Sequence, residues 1–304
     1  MNEIYLKNVR VKYRYGAIAC AGLNFNLKKG DQLAVVGSVA AGKSTLLKLL
    51  AGVAEHESGV FSINGKDASS VSVKDRDVLF VQDRLSLFNL RSVEYNLTYP
   101  LRIRGEKGAQ LKEKAILAAS AVGITSDIKI PVYRLSKEDK IKLCYARLFM
   151  RAADLYLIDD LYRELSEEGR EELFRRILEW SNKEDKTVVL ATENLDDALR
   201  FSDRVLLLSY GVQIAEGRIS EISENVPSVW VHKSVFPEKE LISAHISNVN
   251  EDIVLTVSDK QYTLNKSLLL DEIFIDKDVI ASITDDRILI FDSKSENLIY
   301  PIKQ

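Results

Sequence analysis

The 304-residue chain carries 42 basic and 45 acidic residues, for a net charge of -3 with histidine neutral. Because positive charge is not in excess, we do not expect a nucleic-acid partner. A hydrophobic content of 46% and a charged content of 29% indicate a globular protein, and the length predicts one large and one small domain. Cys20 and Cys144 are too few for a disulfide framework or a cysteine metal site.

The segment Met1–Leu6 lacks a basic region followed by an apolar one. No apolar stretch in the sequence approaches the roughly 20 residues that are needed to span a bilayer. We therefore expect a protein of the reducing cytoplasm, which reaches a membrane only through a partner.

Short aliphatic runs alternate with helical patterns over the first two hundred residues. The predicted strands are Gln32–Val36, Val78–Val81, Leu155–Ile158, Thr187–Ala191 and Val205–Leu208. Such near-continuous apolar strands are typical of a sheet buried on both faces, so we predict an α/β fold with a parallel or mixed sheet. Between the second and third strands, two helical stretches indicate an inserted helical subdomain at about 84–153; they are Gly108–Val122 and Ser136–Arg151.

From about Ser228 the pattern changes to short strands separated by Asn, Asp, Ser and Lys clusters. These predicted strands are Leu241–Ile246, Ile253–Val257, Val279–Ile283 and Arg287–Phe291. We therefore divide the chain into a first domain at 1–225 and a small β-rich domain at 226–304.

The segment Gly37–Thr45 matches the phosphate-binding pattern G-x-x-x-x-G-K-[ST] between a predicted strand and a helix-forming run. Backbone N–H groups at a helix N-terminus favour anions, so Lys43 is predicted to reach the β- and γ-phosphates and Ser44 to ligate Mg²⁺. The alternative is a strand-to-helix turn that binds nothing, but the context favours a nucleoside triphosphate. The candidate binding residues are Gly37, Ser38, Val39, Ala40, Ala41, Gly42, Lys43, Ser44 and Thr45.

Over residues 1 to about 225, further motifs resemble the nucleotide-binding subunits of ATP-binding cassette (ABC) transporters, which bind ATP with Mg²⁺. Phe80-Val81-Gln82-Asp83 resembles the family's glutamine loop, which implies that Gln82 ligates magnesium and couples to membrane subunits. Leu155–Asp159 resembles the Walker B strand, which implies that Asp159 orients the magnesium shell. Taken alone, an acidic residue there would more often simply start a loop. The run Tyr99–Gly105 resembles cassettes of the sugar-importer type.

An aromatic residue near the N-terminus completes the nucleotide-binding set that the resemblance implies. Tyr15-Gly16 resembles the family's aromatic loop, which implies that Tyr15 stacks on adenine. Two alternatives stay open: Tyr13 takes this role, or Tyr15 is a half-exposed strand residue.

Two catalytic positions depart from the family's pattern. Asp160 stands in place of the catalytic glutamate and is one methylene shorter, so it erodes a general-base contribution of about 10²–10⁴ in rate. Glu193 stands in place of the switch histidine. Because a like-charge pair at about 4 Å costs about 1 to 4 kcal/mol, we expect Glu193 to turn away from the γ-phosphate, to be protonated or to act through water. Slow hydrolysis follows.

A third departure lies in the signature segment. Leu135 is followed by Ser136, Lys137, Glu138 and Asp139, where the family has Leu-Ser-Gly-Gly-Gln. In the family, the glycines let backbone N–H groups approach a γ-phosphate held by the other subunit. Here Glu138 and Asp139 place negative charge at that position instead. We favour a helix cap formed by Ser136 over any signature function. Lys137 is the residue that could still meet a phosphate across an interface.

Cassettes of this family work as head-to-tail dimers, in which each ATP lies between one subunit's Walker motifs and the other subunit's signature. Asp160 and Glu193 therefore affect the ATP site on this chain's loop, and the signature departure affects the ATP site on the partner's loop. The resemblance implies an ATP-binding subunit of an importer, for an oligosaccharide or related solute, with weak or no hydrolysis of its own. We expect a heterodimer with an intact cassette rather than a homodimer, held at the inner face of the cell membrane by transmembrane permease subunits. Residues 226–304 more weakly resemble a shortened OB-like regulatory domain. The alternatives are a stand-alone regulatory ATP sensor and a soluble ABC ATPase acting on ribosomes or DNA.

Overall fold

The computed structural model describes residues 3–13, 18–82, 87–124, 127–224, 229–235, 240–249, 252–258, 260–264, 275–284 and 287–303. The chain divides into two compact units, Met1–Glu216 and Gly217–Gln304. Among the described residues, none of the helices has the length and apolar character that crossing a membrane requires.

A mixed sheet is built mainly from the first unit. Its strands are β1 (Glu3–Lys12), β2 (Ile18–Lys28), β3 (Gln32–Val36), β4 (Ser58–Ile63), β5 (Lys66–Asp67), β6 (Val78–Val81), β7 (Leu155–Ile158), β8 (Thr187–Thr192), β9 (Arg204–Ser209) and β10 (Val212–Arg218). Their order is β5-β4-β1-β2-β10-β9-β3-β8-β7-β6. The β9-β3-β8-β7-β6 part is parallel, and β1 pairs antiparallel with both β2 and β4. The predicted mixed α/β fold is confirmed.

The helices are distributed over both units. They are α1 (Lys43–Ala51), α2 (Val93–Ile103), α3 (Gln110–Ala121), α4 (Lys137–Ala146), α5 (Glu167–Lys183), α6 (Leu195–Phe201), α7 (Ile219–Glu224) and α8 (Val229–Val235). Helices α2, α3 and α4 lie between β6 and β7 in the chain, within the predicted helical insertion. The helix predicted over Ser136–Arg151 is too long, because α4 ends at Ala146 and the chain tightens into a 3₁₀ turn at Arg147–Phe149.

The parallel strands are buried on both faces, as their apolar composition predicts. In β7, Tyr156 and Ile158 pack in the same core as the inserted helices, whereas Leu155 and Leu157 pack in the core that contains α1. Successive side chains of a strand point to opposite faces, so one apolar run serves both cores.

The second unit contains an antiparallel sheet. Its strands are β11 (Ile242–Val249), β12 (Asp252–Val257), β13 (Lys260–Leu264), β14 (Lys277–Thr284), β15 (Arg287–Asp292) and β16 (Leu298–Lys303), in the order β13-β12-β11-β14-β15-β16. The predicted C-terminal β-rich region is confirmed. His232 of α8 is buried, and its Nε2 lies 2.8 Å from the hydroxyl of Ser282 on β14.

The C-terminus of α1 is held by a buried guanidinium. Arg76 is 7% exposed, and its Nη1 donates to the carbonyls of Leu49 and Leu50 at 2.7 and 3.2 Å. Its Nη2 donates to the carbonyl of Ala68 at 2.9 Å. The carbonyls of the last helical turn have no partner within their own helix, so Arg76 satisfies two of them and anchors α1.

Arg76→Met should lower the free energy of unfolding by about 2 to 4 kcal/mol, because it removes three buried, charge-assisted hydrogen bonds to backbone carbonyls. The matched control is Arg175→Met, since Arg175 pairs with Glu172 and Glu179 on the surface of α5. Exposed ion pairs contribute about 0–1 kcal/mol, so the control should change little. Urea unfolding measures both variants, and equal losses would contradict the anchoring role.

Candidate functional site

The predicted site residues follow four neighbouring parallel strands. The phosphate loop follows β3, Glu193 follows β8, Asp159 follows β7 and Gln82 follows β6, and these strands are adjacent in the order β3-β8-β7-β6. Parallel strands end at one edge of a sheet, where ligands of open α/β sheets bind. The fold therefore brings the phosphate-loop, Walker B-like and glutamine-loop segments to one edge.

Two glycines of the phosphate loop lie against neighbouring backbone. Gly42 has a φ of 100°, and a Cβ added there would lie 2.9 Å from the carbonyl oxygen of Ala19. A Cβ added at Gly37 would lie 2.5 Å from the carbonyl oxygen of Leu208. The N–H of Gly37 donates to the carbonyl of Thr192 at 3.2 Å. These positions exclude larger side chains and hold the loop at the end of the sheet.

Lys43 begins α1 with its side chain folded back over the loop. The side chain is 7% exposed, and Nζ donates to the carbonyls of Gly37 and Ser38 at 2.7 and 2.9 Å. Nζ also lies 3.7 Å from Oε1 of Glu193. Burial lowers the pKa of Lys43, against which the nearby carboxylates act. The loop thus carries a largely buried cation where phosphate oxygens bind in this motif.

The two acidic residues after β7 have different surroundings. Asp159 is buried, and its N–H donates to the carbonyl of Val81 at 2.8 Å, which joins the ends of β7 and β6. Burial raises the pKa of Asp160 to about 6, while Arg163 and Lys43 act to lower it. A carboxyl group with a pKa near neutrality is suited to accept a proton.

A 3₁₀ turn at Leu161–Glu164 joins the acidic pair to the segment that follows β8. Tyr162 is buried, and its hydroxyl donates to the carbonyl of Ala191 at 3.1 Å. Nη1 of Arg163 lies 3.6 Å from Oδ2 of Asp160 and 3.4 Å from Oε2 of Glu193. Sequence reasoning missed Arg163, although its position three residues after Asp160 places both on one side of a helical turn.

Glu193 points toward the phosphate loop rather than away from it. Its carboxylate lies between the cations of Lys43 and Arg163, at 3.7 and 3.4 Å. The expectation that Glu193 turns away from the γ-phosphate considered only the repulsion between two anions. In the structure, attraction to the two cations opposes that repulsion.

Three oxygen-bearing side chains are the predicted magnesium ligands. Ser44 supplies a hydroxyl, Gln82 an amide oxygen and Asp159 a carboxylate, and these hard donors suit Mg²⁺. The described residues contain no group of three or more His, Cys, Asp or Glu that could hold a metal. Mg²⁺ commonly uses one or two carboxylates together with substrate phosphates and water, so a sparse donor set fits this ion.

A cavity of about 370 Å³ lies on the outer side of the phosphate loop. Tyr13 lines it, and the Tyr13 hydroxyl lies 2.5 Å from the hydroxyl of Thr45. Tyr210, which is 89% exposed at the turn between β9 and β10, also lines the cavity. Tyr15, the predicted adenine-stacking residue, lies outside the described residues. Tyr13, the alternative considered from the sequence, lies beside the loop.

The segment predicted to stand at the signature position forms a capped helix start. Ser136 caps α4, because its hydroxyl accepts from the N–H of Asp139 at 3.0 Å, which confirms the predicted helix cap. Lys137 is exposed and pairs with Glu164 at 3.0 Å, and Glu138 pairs with Lys142 at 2.7 Å.

A phosphate loop between β3 and α1, at the carboxyl edge of a mixed sheet, defines a P-loop nucleotide-binding fold. Residues 20–162 match the family described as ABC transporter. Residues 20–162 therefore carry an ABC transporter ATPase domain, as the resemblance implies.

Curated relatives of the chain are import ATP-binding proteins. It is 28% identical over 231 residues to the sn-glycerol-3-phosphate import ATP-binding protein UgpC of Jannaschia sp., a match that covers 76% of this chain and 66% of the relative. It is 27% identical to the sulfate/thiosulfate import ATP-binding protein CysA of Bacillus cereus, covering 73% and 64%. It is 26% identical to the trehalose import ATP-binding protein SugC of Mycobacterium tuberculosis, covering 76% and 59%. The chain thus spans less than two thirds of the length of each relative.

Two solved structures share the fold. The dimeric, post-hydrolysis ATP-binding cassette MJ0796 bound to ADP and Pi aligns with a TM-score of 0.65 and 21% identity, covering 71% of this chain and 98% of that one. The cbiO1 protein of Clostridium perfringens, part of the ABC transporter complex cbiONQ, aligns with a TM-score of 0.66 and 20% identity, covering 77% and 95%.

Proposed function

We propose that this chain is an ATP-binding subunit of an ABC importer, which holds ATP with Mg²⁺ and hydrolyses it slowly on its own. The observation that carries the proposal is the phosphate loop with its buried Lys43, on the sheet edge where Asp159 and Gln82 also lie. The import ATP-binding relatives support it.

Slow hydrolysis is inferred from what replaces the catalytic groups. Asp160 has a suitable pKa but a short side chain, and its carboxylate is 3.6 Å from the guanidinium of Arg163. Glu193 offers a carboxylate where an imidazole would donate to phosphate. Because the first turn of α4 also carries two acids, a homodimer would have both defects in each site. We therefore propose a heterodimer with an intact cassette, in which this chain mainly binds ATP.

The proposed solute is an oligosaccharide or a related compound. The Tyr99–Gly105 segment and the trehalose relative support this class, while the relatives named for glycerol phosphate and sulfate widen it. The proposed position is the inner face of the cell membrane, where transmembrane permease subunits would hold the chain.

Exposed apolar side chains near the glutamine-loop segment offer a surface for such permeases. Phe88, Leu90 and Tyr133 are 41%, 86% and 53% exposed. The N–H of Tyr133 donates to the carbonyl of Asn89 at 3.0 Å, so the two segments run side by side. We propose this permease patch, Phe88, Leu90 and Tyr133, as the contact with the membrane subunits.

Co-purification tests the transporter assignment. The chain should be recovered with two multispanning proteins and a second cassette, and Leu90→Asp should reduce that recovery by about tenfold, because it places a charge in an apolar contact. The control Val53→Asp changes another exposed apolar residue, 64% exposed just after α1, and should leave recovery intact. Recovery of the unaltered chain only as a lone soluble species would instead favour a regulatory ATP sensor.

Tyr13 is predicted to stack on the adenine ring. Tyr13→Ala should weaken ATP binding about 5- to 100-fold, because base–aromatic stacking contributes about 1–3 kcal/mol. Tyr13→Phe keeps the ring but loses the hydroxyl contact with Thr45, so it should bind ATP nearly as well as the unaltered chain. Fluorescence titration with a labelled ATP measures both, and equal losses would show that the hydroxyl matters rather than the ring.

A further inference from the structure

Glu193 connects two cations at the phosphate-loop edge, and Asp160 lies 3.6 Å from the second of them, Arg163. Glu193 places Oε1 at 3.7 Å from Nζ of Lys43 and Oε2 at 3.4 Å from Nη1 of Arg163. The carboxylate thus spans both positive groups with its two oxygens. Its side chain is 32% exposed, whereas that of Lys43 is 7% exposed, so the contact with the lysine is largely shielded from solvent.

This arrangement matches what a terminal phosphate would need. In the G-x-x-x-x-G-K-[ST] motif, the lysine reaches the β- and γ-phosphates, so the anion that approaches Lys43 from the sheet edge is the terminal one. A phosphate oxygen and a carboxylate oxygen require the same donors, and two anions cannot both occupy the space beside one ammonium group without strong repulsion.

We propose that Glu193 is an internal competitor of the γ-phosphate, and that Arg163 is a second cation that binds this phosphate once Glu193 is displaced. The two residues then set the preference of the site for a nucleoside triphosphate over a diphosphate. A diphosphate can contact Lys43 through its β-phosphate, but it places no group at the γ-position, so Glu193 keeps its contact with Arg163. The inference rests on the proposed ATP binding and adds the residues that select the bound nucleotide.

The 3₁₀ turn fixes Arg163 for this role. Tyr162, one residue earlier, is buried and bonded to the carbonyl of Ala191, two residues before Glu193. The turn that carries Arg163 is therefore hydrogen-bonded to β8, the strand that directly precedes Glu193. Arg163 itself is 62% exposed, which leaves its guanidinium room to turn from a carboxylate to a phosphate.

The test compares affinities for the β,γ-imido analogue of ATP and for ADP, each with Mg²⁺, by isothermal titration calorimetry on the purified chain. Glu193→Gln should bind the ATP analogue about tenfold or more tightly, while ADP affinity changes less than about threefold, because one negative charge near the γ-phosphate is removed. In the Glu193→Gln background, Arg163→Gln should cost the ATP analogue about tenfold and ADP little, because a cation facing the γ-phosphate is lost.

A matched ion pair elsewhere on the same unit supplies the controls. Glu167 of α5 and Arg200 of α6 pair at 2.6 Å on the surface, so Glu167→Gln and Arg200→Gln remove the same charges away from the loop. Both control variants should leave the ratio of the affinities for the ATP analogue and for ADP unchanged. Thermal unfolding of every variant shows whether it is folded.

The outcomes separate this inference from the proposed function. Tight ATP-analogue binding with an unchanged ratio in Glu193→Gln would overturn the competition and leave ATP binding in place. If the double variant bound the ATP analogue as tightly as Glu193→Gln alone, the phosphate contact of Arg163 would be overturned. Failure of every variant to bind either nucleotide would overturn both proposals. Binding of the ATP analogue that is measurable only in Glu193→Gln would support the competition most strongly.

Discussion

Asp160→Glu should raise ATP turnover by about 10²-fold when this chain is paired with a cassette that supplies an intact signature, because the longer side chain restores the reach of a general base. Asp160 already has a pKa raised to about 6 by burial, so its shortfall is one of position rather than of basicity. Phosphate release from the purified heterodimer measures the change.

Two comparisons sharpen that experiment. Asp160→Asn, which cannot accept a proton, should abolish the residual turnover of this site. Asp160→Glu in the chain alone should gain far less than in the heterodimer, since the first turn of α4 still carries Lys137 and Glu138 where the resemblance implies two glycines. If Glu193→His restored brisk hydrolysis to the chain alone, neither the short carboxylate nor the altered signature would limit the rate.

Lys43→Ala should weaken ATP binding by about 10²-fold, because two charge-assisted hydrogen bonds to phosphate contribute about 1.5–3 kcal/mol each and part of this is regained by water. The change also removes a buried donor to the carbonyls of Gly37 and Ser38, so the free energy of unfolding should fall by about 1–3 kcal/mol. Equilibrium binding of labelled ATP and urea unfolding measure the two effects separately.

Lys48→Ala is the matched control, since Lys48 lies on the same helix but away from the loop. It should bind ATP like the unaltered chain. Equal weakening in both variants would show that the net charge of α1, rather than the contact of Lys43 with phosphate, determines affinity.

The central part of the fold could be predicted because its strands are apolar on both faces. β3, β6, β7 and the phosphate loop follow directly from continuous apolar runs and a short motif. β1 and β2 do not follow from such runs, because buried and exposed residues alternate along them. The predicted end of α4 was wrong, since composition does not mark where a helix tightens into a 3₁₀ turn.

The site could be predicted only one motif at a time. Lys43, Asp159 and Gln82 each follow a strand, but their meeting at one edge depends on the strand order β3-β8-β7-β6, which local patterns do not reveal. The orientation of Glu193 depends on Arg163, a residue about thirty positions earlier in the chain. The sequence suffices to estimate a repulsion between Glu193 and a phosphate. The attraction of Glu193 to Lys43 and Arg163 depends on their positions in the folded chain.

The ion pairs around the 3₁₀ turn also bear on how this sequence can change over evolutionary time. Arg163 contacts the carboxylates of Asp160 and Glu193, the two residues that we propose replace the family's catalytic pair. Glu193→His alone would leave Arg163 and Lys43 without the carboxylate between them. The effects of substitutions at Asp160, Arg163 and Glu193 on turnover should therefore not be additive. If hydrolysis is slow as proposed, these residues form one epistatic set, and several coordinated substitutions would be needed to raise the rate.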